Sequence, residues 1–352
     1  MNEASNASGV LRLGILGCAR IARQFARDVA PSPQVRIDAV ASRDAATAAG
    51  FASAHGIARH FGSYQSMLAD PGIDAIYLPL PNSLHALWAV RAAEAGKHVL
   101  CEKPLALGLA EAQSMFDAAR RCGVLLLEAY PYWFQPATAA MVELLARGAI
   151  GTVRSVQASG GFQILDSHGD ARLDPDLGGG ALFDSGCYPL SLIRLAMGSA
   201  PQRVHAHANW TARSVDMSLV ATLLWGDGRR AQISCAMDGA SHRRATIVGS
   251  AGTIETEYLN HTSDRPAGDA FGYLPSQLRV RLGIANSVPF EDIVTGTGSG
   301  FRFAAEMFAR LVAERDFAAV ARAAEASLDI AATLEALARS ARSGEAVNVL
   351  GR

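Results

Sequence analysis

The sequence has little of what marks disulfide-rich, zinc-stapled or membrane-spanning proteins. Its cysteines are odd in number and no two form a Cys-x-x-Cys pair; they are Cys18, Cys101, Cys122, Cys187 and Cys235. A disulfide framework or a structural zinc site is therefore not expected. No stretch reaches the roughly 18 uncharged apolar residues that a membrane span needs. The first residues also lack the basic segment and apolar core of a secretory signal, so we expect a cytoplasmic protein without a metal, with a disordered tail over 1–9.

An excess of charge of one sign is also missing. The chain carries 32 basic and 33 acidic residues, a net charge of −1, and the basic residues are scattered. Such a balance gives no general attraction to nucleic acid or to an anionic membrane surface, so neither is an expected partner. With 352 residues, half of them hydrophobic, the chain is long enough for two domains that each bury a core.

Residues 10–130 alternate short apolar runs with amphipathic stretches. The runs VLRLGIL, VRIDAVAS, IDAIYLPL, KHVLCE and VLLLEAY predict strands, and the stretches ARIARQFARDVA, DAATAAGFASAH, SLHALWAVRAAEAG and LAEAQSMFDAARRCG predict helices. This alternation predicts a doubly wound parallel sheet, which is the Rossmann arrangement.

The pattern changes beyond Gly151. The segments SVQASGGFQI, RVHAHANW, SLVATLLW and RAQISCAMD alternate in polarity, with WGDGR as a hairpin turn between the last two. Residues 131–352 are therefore predicted to form a second α/β domain with an open, mostly antiparallel sheet and a helical C-terminal part. The C-terminal helices could pack back on the first domain, and Pro266–Asn286 has no clear assignment.

The first strand runs into a glycine-containing turn that opens a helix. Read against G-x-G-x-x-G/A, the matching residues are Gly17, Ala19 and Ala22. A tight turn at a helix N-terminus can bind a pyrophosphate through backbone N–H groups. The expected contacts are Gly14, Gly17, Cys18, Ala19, Arg20 and Ile21. The alternative is an ordinary strand–helix turn, because a single degenerate match is a weak signal.

The second strand ends at Ser42 and Arg43, about where NAD-binding enzymes carry an acidic residue for the ribose 2′-hydroxyl. A hydroxyl and a guanidinium suit a 2′-phosphate instead, since arginine binds phosphate with two hydrogen bonds. The sequence therefore favours NADP(H), with NAD(H) as the alternative. Otherwise Arg43 is a solvated residue at a helix start and Ser42 is the N-cap of that helix.

Three later segments carry a family resemblance. They are PLPNSLHALWAVRAAEAGKHVLCEKPLAL at 79–107, EAYPYWFQP at 128–136 and GGGALFDSGCYPLSLI at 178–193. In this order, after a dinucleotide turn, they resemble the glucose–fructose oxidoreductase/inositol dehydrogenase (Gfo/Idh/MocA) family over nearly the whole chain. The resemblance implies a Rossmann domain and a second domain whose open sheet often forms a subunit interface. It therefore implies a homodimer or homotetramer.

The resemblance also implies roles for individual residues. Lys103 of Glu-Lys-Pro would lie beside the nicotinamide and the reacting oxygen, and Pro104 would follow it through a cis bond. Four residues, Leu80, Pro81, Asn82 and His85, would line the cofactor cleft. Glu102 and Glu128 would lie near the nicotinamide ribose and carboxamide. Without the resemblance, Lys103 would be a surface cation before a proline turn.

The third segment supplies an acid/base group. Many relatives carry Asp-x-x-x-His on a helix at this place, whereas here the residues are Asp184 and Tyr188. Residues four apart share a face of an α-helix, so both side chains can point into one cleft. A lysine near a phenol favours the phenolate, so Lys103 and Tyr188 could act as a coupled pair. The alternatives are a buried aromatic at Tyr188 and a capping or orienting carboxylate at Asp184.

The substrate pocket is less well defined by the sequence. Trp133 stands where many relatives have arginine, and it could stack on a substrate ring or belong to the core. Phe162 and Arg172 are further candidates, as are Asp166 and His168, unless they are solvated loop residues. Gly178–Gly180 could allow close backbone approach or simply form a flexible turn.

The sequence thus predicts an NADP(H)-dependent oxidoreductase that moves a hydride to or from a hydroxyl or carbonyl carbon of a sugar, polyol or cyclic diol. Tyrosine in the acid/base position resembles the dihydrodiol dehydrogenase, D-xylose dehydrogenase and sugar 3-ketoreductase branches. Two rivals remain. One is an inactive dinucleotide-binding sensor, and the other is an enzyme that keeps NAD(P) bound as an internal redox relay.

Overall fold

The computed structural model describes residues 9–165 and 169–349. Apart from Gly9, the predicted tail at 1–9 lies outside these ranges, as do Asp166 and His168. The chain divides into two compact units. The first comprises the chain up to Leu105, Gln113–Ala129 and Phe301–Ala324; the second comprises Ala106–Ala112, Tyr130–Gly300 and the chain from Glu325 onward.

The first unit is built on six parallel strands. They are β1 (Leu11–Leu16), β2 (Val35–Ala41), β3 (Arg59–Phe61), β4 (Ala75–Leu78), β5 (His98–Glu102) and β6 (Leu126–Ala129). Their spatial order is β3-β2-β1-β4-β5-β6, and all five pairs are parallel. This confirms the predicted doubly wound sheet, whose strand order reverses between β1 and β4.

Helices follow the strands of this sheet. They are α1 (Arg20–Val29), α2 (Ala45–His55), α3 (Tyr64–Leu68), α4 (His85–Glu94), α5 (Leu109–Cys122) and, later in the chain, α8 (Gly300–Glu314). Phe25 of α1 stacks on Tyr77 of β4 with ring centroids 3.6 Å apart, and Phe301 of α8 packs edge-on against Phe25. The predicted strands and helices of this region are confirmed, whereas β3 and α3 were missed because both are too short to show periodicity.

The second unit contains a nine-stranded, mostly antiparallel sheet. Its strands are β7 (Val153–Gln163), β8 (Arg203–Trp210), β9 (Asp216–Leu224), β10 (Arg230–Ala236), β11 (Asp238–Gly249), β12 (Gly252–Thr256), β13 (Leu278–Leu282), β14 (Glu291–Asp292) and β15 (Val347–Asn348). Their order is β14-β13-β12-β11-β7-β10-β9-β8-β15, and within this sheet only β7 and β10 pair in parallel among the described strands. The predicted open antiparallel sheet is confirmed, with the hairpin at Trp225–Arg229.

Helices cover one face of this second sheet. They are α6 (Pro136–Ala146), α7 (Cys187–Met197) and α9 (Phe317–Ser343), whose first residues belong to the first unit. Buried and exposed residues alternate along β8, β9 and β10, so one face of the sheet packs into the core and the other is open. Within the described chain, no helix combines the length and apolar content needed to cross a membrane.

A buried lysine connects two loops of the first unit. Lys97 lies directly before β5, and its Nζ donates to the carbonyl oxygens of Asp70 at 2.7 Å and Ile73 at 2.8 Å. Burial lowers the pKa of Lys97, and the carboxylates of Asp70 and Asp74 oppose that change. The lysine of the Ala-Gly-Lys-His segment therefore holds the loop before β4 in place beside β5.

We expect Lys97→Met to lower the free energy of unfolding by about 2 kcal/mol, because two buried carbonyl oxygens lose their donor. Arg120→Met, on the exposed face of α5, is the matched control and should change it by less than about 0.5 kcal/mol. Denaturant unfolding of both variants measures the difference. Equal stability of the two variants would contradict this role for Lys97.

Candidate active site

The predicted residues of the first unit meet along one edge of its sheet. They lie at or just beyond the carboxyl ends of β2, β1, β4, β5 and β6. Along the edge of the sheet their order is Arg43, Gly17, Pro81, Lys103 and Glu128. Ligands of doubly wound sheets bind outside this edge, next to the reversal of strand order. The edge therefore gathers residues that are up to 111 positions apart in the chain (Gly17 to Glu128).

Gly17 occupies the tightest point of the turn after β1. Its φ is +121°, and a Cβ added there would lie 2.8 Å from Cδ2 of Leu80, so only glycine fits. Ala19 has φ −64°, an ordinary value, which explains why alanine is tolerated where the dinucleotide pattern has glycine. No side chain caps the N-terminus of α1 within the described chain, and its first turn holds no acidic residue. The turn thus leaves backbone N–H groups for an anion.

The end of β2 carries the predicted 2′-phosphate residues. Ser42 accepts a hydrogen bond from the Asp44 N–H at 3.2 Å, and Arg43 is exposed. The N-cap of α2 is Asp44, which accepts from the N–H groups of Ala46 and Thr47. The alternative that made Ser42 the N-cap is therefore wrong, because the helix begins two residues later than that reading required.

Tyr64 of α3 joins this end of the sheet. Burial raises the pKa of the Tyr64 phenol, and the neighbouring Arg43 guanidinium opposes that rise. Its hydroxyl lies 3.8 Å from the position of a Cβ on Gly17. Tyr64 is thus close to both the turn and Arg43, and sequence reasoning missed it because the short α3 gave no signal.

Buried carboxylates fix the backbone on both sides of Lys103. The Lys103–Pro104 peptide bond is cis, as the resemblance implied. Glu102 accepts from the Tyr77 hydroxyl at 2.7 Å and from the Lys103 N–H at 3.3 Å. Glu128 accepts from the Leu105 N–H at 2.8 Å. Both glutamates were predicted to lie near the nicotinamide; their described contacts hold the segment that carries Lys103.

His85 connects the loop after β4 to this segment. Its ring nitrogens lie 2.9 Å from the Pro104 carbonyl oxygen and 2.8 Å from the Leu80 carbonyl oxygen, and the side chain is fully buried. Burial lowers the pKa of His85, although the two carbonyl groups oppose the change. Pro81 and Asn82 lie in the loop that this imidazole holds.

In the second unit, Asp184 belongs to an arrangement of charges. It lies in a π-helical turn, Leu182–Gly186, which runs directly into α7. Its Oδ2 is 4.0 Å from Nη1 of Arg172. The Arg172 guanidinium also pairs with Asp170, and its central carbon lies 5.0 Å from the ring centroid of Phe162. The backbone between Asp184 and Tyr188 is therefore partly π-helical, not the regular α-helix on which the shared-face prediction relied.

The glycines before this turn are tightly packed. A Cβ on Gly179 would lie 2.5 Å from the Arg172 carbonyl oxygen, and one on Gly180 would lie 2.0 Å from Oδ1 of Asp216. Asp216 also accepts from the Leu182 N–H at 2.7 Å, and burial raises the pKa of its carboxyl. Of the two interpretations, the structure supports close backbone approach over a flexible turn.

Trp133 is half-buried in a cluster of aromatic side chains. Its Nε1 donates to the Tyr132 hydroxyl at 2.9 Å. The Tyr132 hydroxyl is 2.7 Å from the Ser191 hydroxyl, and Ser191 donates to the Tyr188 carbonyl oxygen. The rings of Tyr130 and Trp133 are 4.6 Å apart. The cluster thus attaches the EAYPYW segment to α7 and to Tyr188.

Tyr188 itself is buried, with 8 % of its surface exposed, and it lies beside a cation. The Arg243 guanidinium is 3.9 Å from the centroid of its ring. Its hydroxyl accepts a hydrogen bond from Nδ2 of Asn260 at 3.1 Å. Arg243 and Asn260 were missed because they follow Tyr188 by 55 and 72 residues, on β11 and after β12, where no sequence pattern marks them.

Comparison with known proteins identifies the family. Residues 11–130 match the model described as "Oxidoreductase family, NAD-binding Rossmann fold", and residues 138–255 match the "GFO/IDH/MocA C-terminal domain". The chain belongs to the Gfo/Idh/MocA family of oxidoreductases. The resemblance read from the sequence is confirmed.

Similar members of the family act on sugars and diols. The chain is 35% identical to a D-xylose 1-dehydrogenase (NADP(+)) of Haloferax volcanii, over 96% of this chain and 100% of the relative. It is 36% identical to a trans-1,2-dihydrobenzene-1,2-diol dehydrogenase of Danio rerio, over 70% and 74% of the two chains. The structure of a 3-ketoreductase from Actinomadura kijaniata, in complex with NADP and TDP-benzene, is similar at a TM-score of 0.81 and 30% identity, covering 95% and 98%.

Gly180→Ala should destabilise this family member by about 2–4 kcal/mol, because it adds a clash with Asp216 to the cost of a positive φ. Gly198→Ala is the matched control. Gly198 also has a positive φ, +75°, but no atom lies within 4 Å of its added Cβ. It should cost only about 1 kcal/mol. Thermal unfolding compares the stability of the two variants. An equal loss of stability would show that the contact with Asp216 does not add to the cost of Gly180→Ala.

Proposed function

We propose that this oxidoreductase uses NADP(H) to interconvert a hydroxyl and a carbonyl group on a sugar, polyol or cyclic diol. The observation that carries the proposal is the carboxyl edge of the first sheet. There, a glycine turn that admits no side chain is followed along the edge by Ser42 and Arg43 on one side and Lys103 on the other. The names of the relatives support the same substrate classes.

The residues present fit a dinucleotide that carries a 2′-phosphate. The N–H groups at the start of α1 suit the pyrophosphate, and Arg43 beside Tyr64 suits the phosphate on the adenosine ribose. No acidic side chain takes the place of Ser42 at the end of β2. When bound, NADPH supplies the hydride and NADP⁺ accepts it.

The protein's own side chains handle the proton. In oxidation Tyr188 takes the proton of the substrate hydroxyl, and in reduction it returns a proton to the carbonyl oxygen. Lys103 donates a hydrogen bond to that oxygen and stabilises the negative charge that develops on it. Asp184, held near Arg172, orients the segment that carries Tyr188. Trp133, Phe162 and Arg172 contribute to the substrate pocket.

We further propose that the protein is cytoplasmic and forms a homodimer or homotetramer through the open face of the second sheet. A solution mass equal to one chain would contradict that assembly.

Calorimetric titration with NADPH and NADH tests the cofactor assignment. We expect NADPH to bind at least about tenfold tighter, because a charge-assisted hydrogen bond to phosphate contributes about 1.5–3 kcal/mol. Arg43→Ala should remove this preference and leave NADH binding unchanged, whereas the control Arg121→Ala, on the exposed end of α5, should keep it. If neither nucleotide binds, the turn after β1 is not a dinucleotide site.

Turnover of D-xylose and a panel of other aldoses, polyols and cyclic diols tests the chemical roles. Tyr188→Phe and Lys103→Met should each lower kcat by about 10²–10⁴-fold, the range for lost acid/base catalysis. NADPH affinity should stay within about threefold. Unchanged turnover in either variant would refute that residue's role. Tight NADPH binding with no turnover would favour the sensor, and turnover without exchange of added cofactor would favour the internal relay.

A further inference from the structure

Two side chains of the second unit, Arg243 and Asn260, form one hydrogen-bonded group with the phenol of Tyr188. Arg243 Nη1 donates to Oδ1 of Asn260 at 2.8 Å, and Asn260 Nδ2 donates to the Tyr188 hydroxyl oxygen at 3.1 Å. The same guanidinium lies over the Tyr188 ring at 3.9 Å from its centroid. Arg243 therefore contacts the tyrosine directly, through its ring, and indirectly, through Asn260.

The chemistry of these groups fixes the direction of each hydrogen bond. A guanidinium only donates hydrogen bonds, so the Asn260 amide must present its oxygen to Arg243. Its NH₂ group then has to face Tyr188, which leaves no freedom to flip the amide. The Tyr188 oxygen consequently accepts from Asn260, and the phenol's own proton points away from Asn260.

The backbone around this group is held by its surroundings. The Asn260 carbonyl oxygen accepts from Gln135 Nε2 at 2.7 Å and from the Gly300 N–H at 3.0 Å. Arg243 pairs across the sheet with Gly160. A Cβ on Gly160 would lie 3.2 Å from the Tyr258 hydroxyl and 3.8 Å from Cγ of Arg243. The missing side chain leaves room for the Tyr258 hydroxyl, and the distance to Arg243 is an ordinary packing contact.

We propose that Arg243 and Asn260 are positioning residues that orient the phenol of Tyr188 and stabilise its phenolate. A hydrogen bond donated to an oxygen and a cation over the ring both favour the charged form of a phenol. The Tyr188 proton is thereby directed away from the protein's own amide and given up more readily. This inference rests on the proposed function, since it gives Tyr188 the proton-exchanging role.

Other titratable groups of the second unit also face this phenol. They are Tyr130 and Tyr132 from the segment after β6 and Tyr258 from the segment after β12; Cys187 and Asp184 lie on the same helical segment as Tyr188. Burial raises the pKa values of Tyr132 and Tyr258. The cation that lies over the Tyr188 ring is Arg243.

Ultraviolet difference titration of tyrosinate tests the inference without any substrate. Subtracting the Tyr188→Phe titration from that of the wild-type holoprotein isolates the ionisation of Tyr188. Asn260→Asp keeps the size of the side chain but presents an acceptor to the phenol and pairs with Arg243. We expect it to raise the midpoint by at least about one pH unit, and Arg243→Met to raise it similarly, because a charge at this distance shifts a pKa by about 1–3 units. Asn286→Asp, exposed in the loop after β13, is the charge-matched control and should not move it.

The outcomes separate the two proposals. If Asn260→Asp moves the midpoint no more than Asn286→Asp does, or if wild-type Tyr188 does not ionise before the protein unfolds, the positioning role is refuted. Asn260→Leu, which removes both hydrogen bonds of the amide without adding a charge, provides the measurement if the aspartate variant does not fold. A Tyr188→Phe variant with unchanged turnover would instead refute the proton-exchanging role that the proposed function gives Tyr188. With a working substrate, Asn260→Asp should lower kcat and leave the Kd for NADPH unchanged, a split that a purely structural defect would not give.

Discussion

The structure of the first unit depends on the rule that buried polar groups must find partners. The segment around Lys103 and Pro104 obeys it through side chains from three neighbouring strands or helices. Glu102 and Glu128 accept from backbone N–H groups, and His85 lies against two backbone carbonyl oxygens. These three residues are polar, yet each is more than nine-tenths buried. Their burial fixes the backbone that carries Lys103, so the pattern read as a cofactor-binding signature is also a packing requirement.

The same rule explains the hydrogen bonds that hold the π-helical turn and the backbone of Tyr188 in the second unit. Asp216 accepts from the first N–H of the π-helical turn, and the hydroxyls of Tyr132 and Ser191 connect the aromatic segment to the backbone of Tyr188. Close packing against Asp216 is possible only because Gly180 has no side chain. The glycines before the π-helical turn and the aromatic residues after β6 therefore act together. Both fix the position at which the π-helical turn passes into α7.

Local pattern predicted what depends on neighbours in sequence. The parallel strands, the long helices and the turn at Gly17 all have periodic or positional signals, and they are where the sequence placed them. The π-helical turn was missed because its residues also suit an α-helix. Arg243 could not be found, since its place beside Tyr188 follows from the pairing of β11 with β7, a contact between distant segments. The prediction that Ser42 is the N-cap of α2 was wrong because Asp44, two residues later, is an equally good capping residue, and the helix begins there instead.

The two lysines of the chain differ in use: one packs in a buried loop, and the other belongs to the proposed active site. The chain has only two lysines, Lys97 and Lys103, six residues apart; every other basic residue is arginine. Arginine remains charged under all ordinary conditions, whereas lysine can lose its proton and offers a compact charge with three donors. At Lys97 the compact charge matters, because the ammonium fits between two carbonyl oxygens in a buried loop. Lys103 is half-buried at the end of β5, where the proposed function needs a compact hydrogen-bond donor for the reacting oxygen. A chain that otherwise uses arginine thus keeps lysine at two places where a compact ammonium suits better than a larger guanidinium.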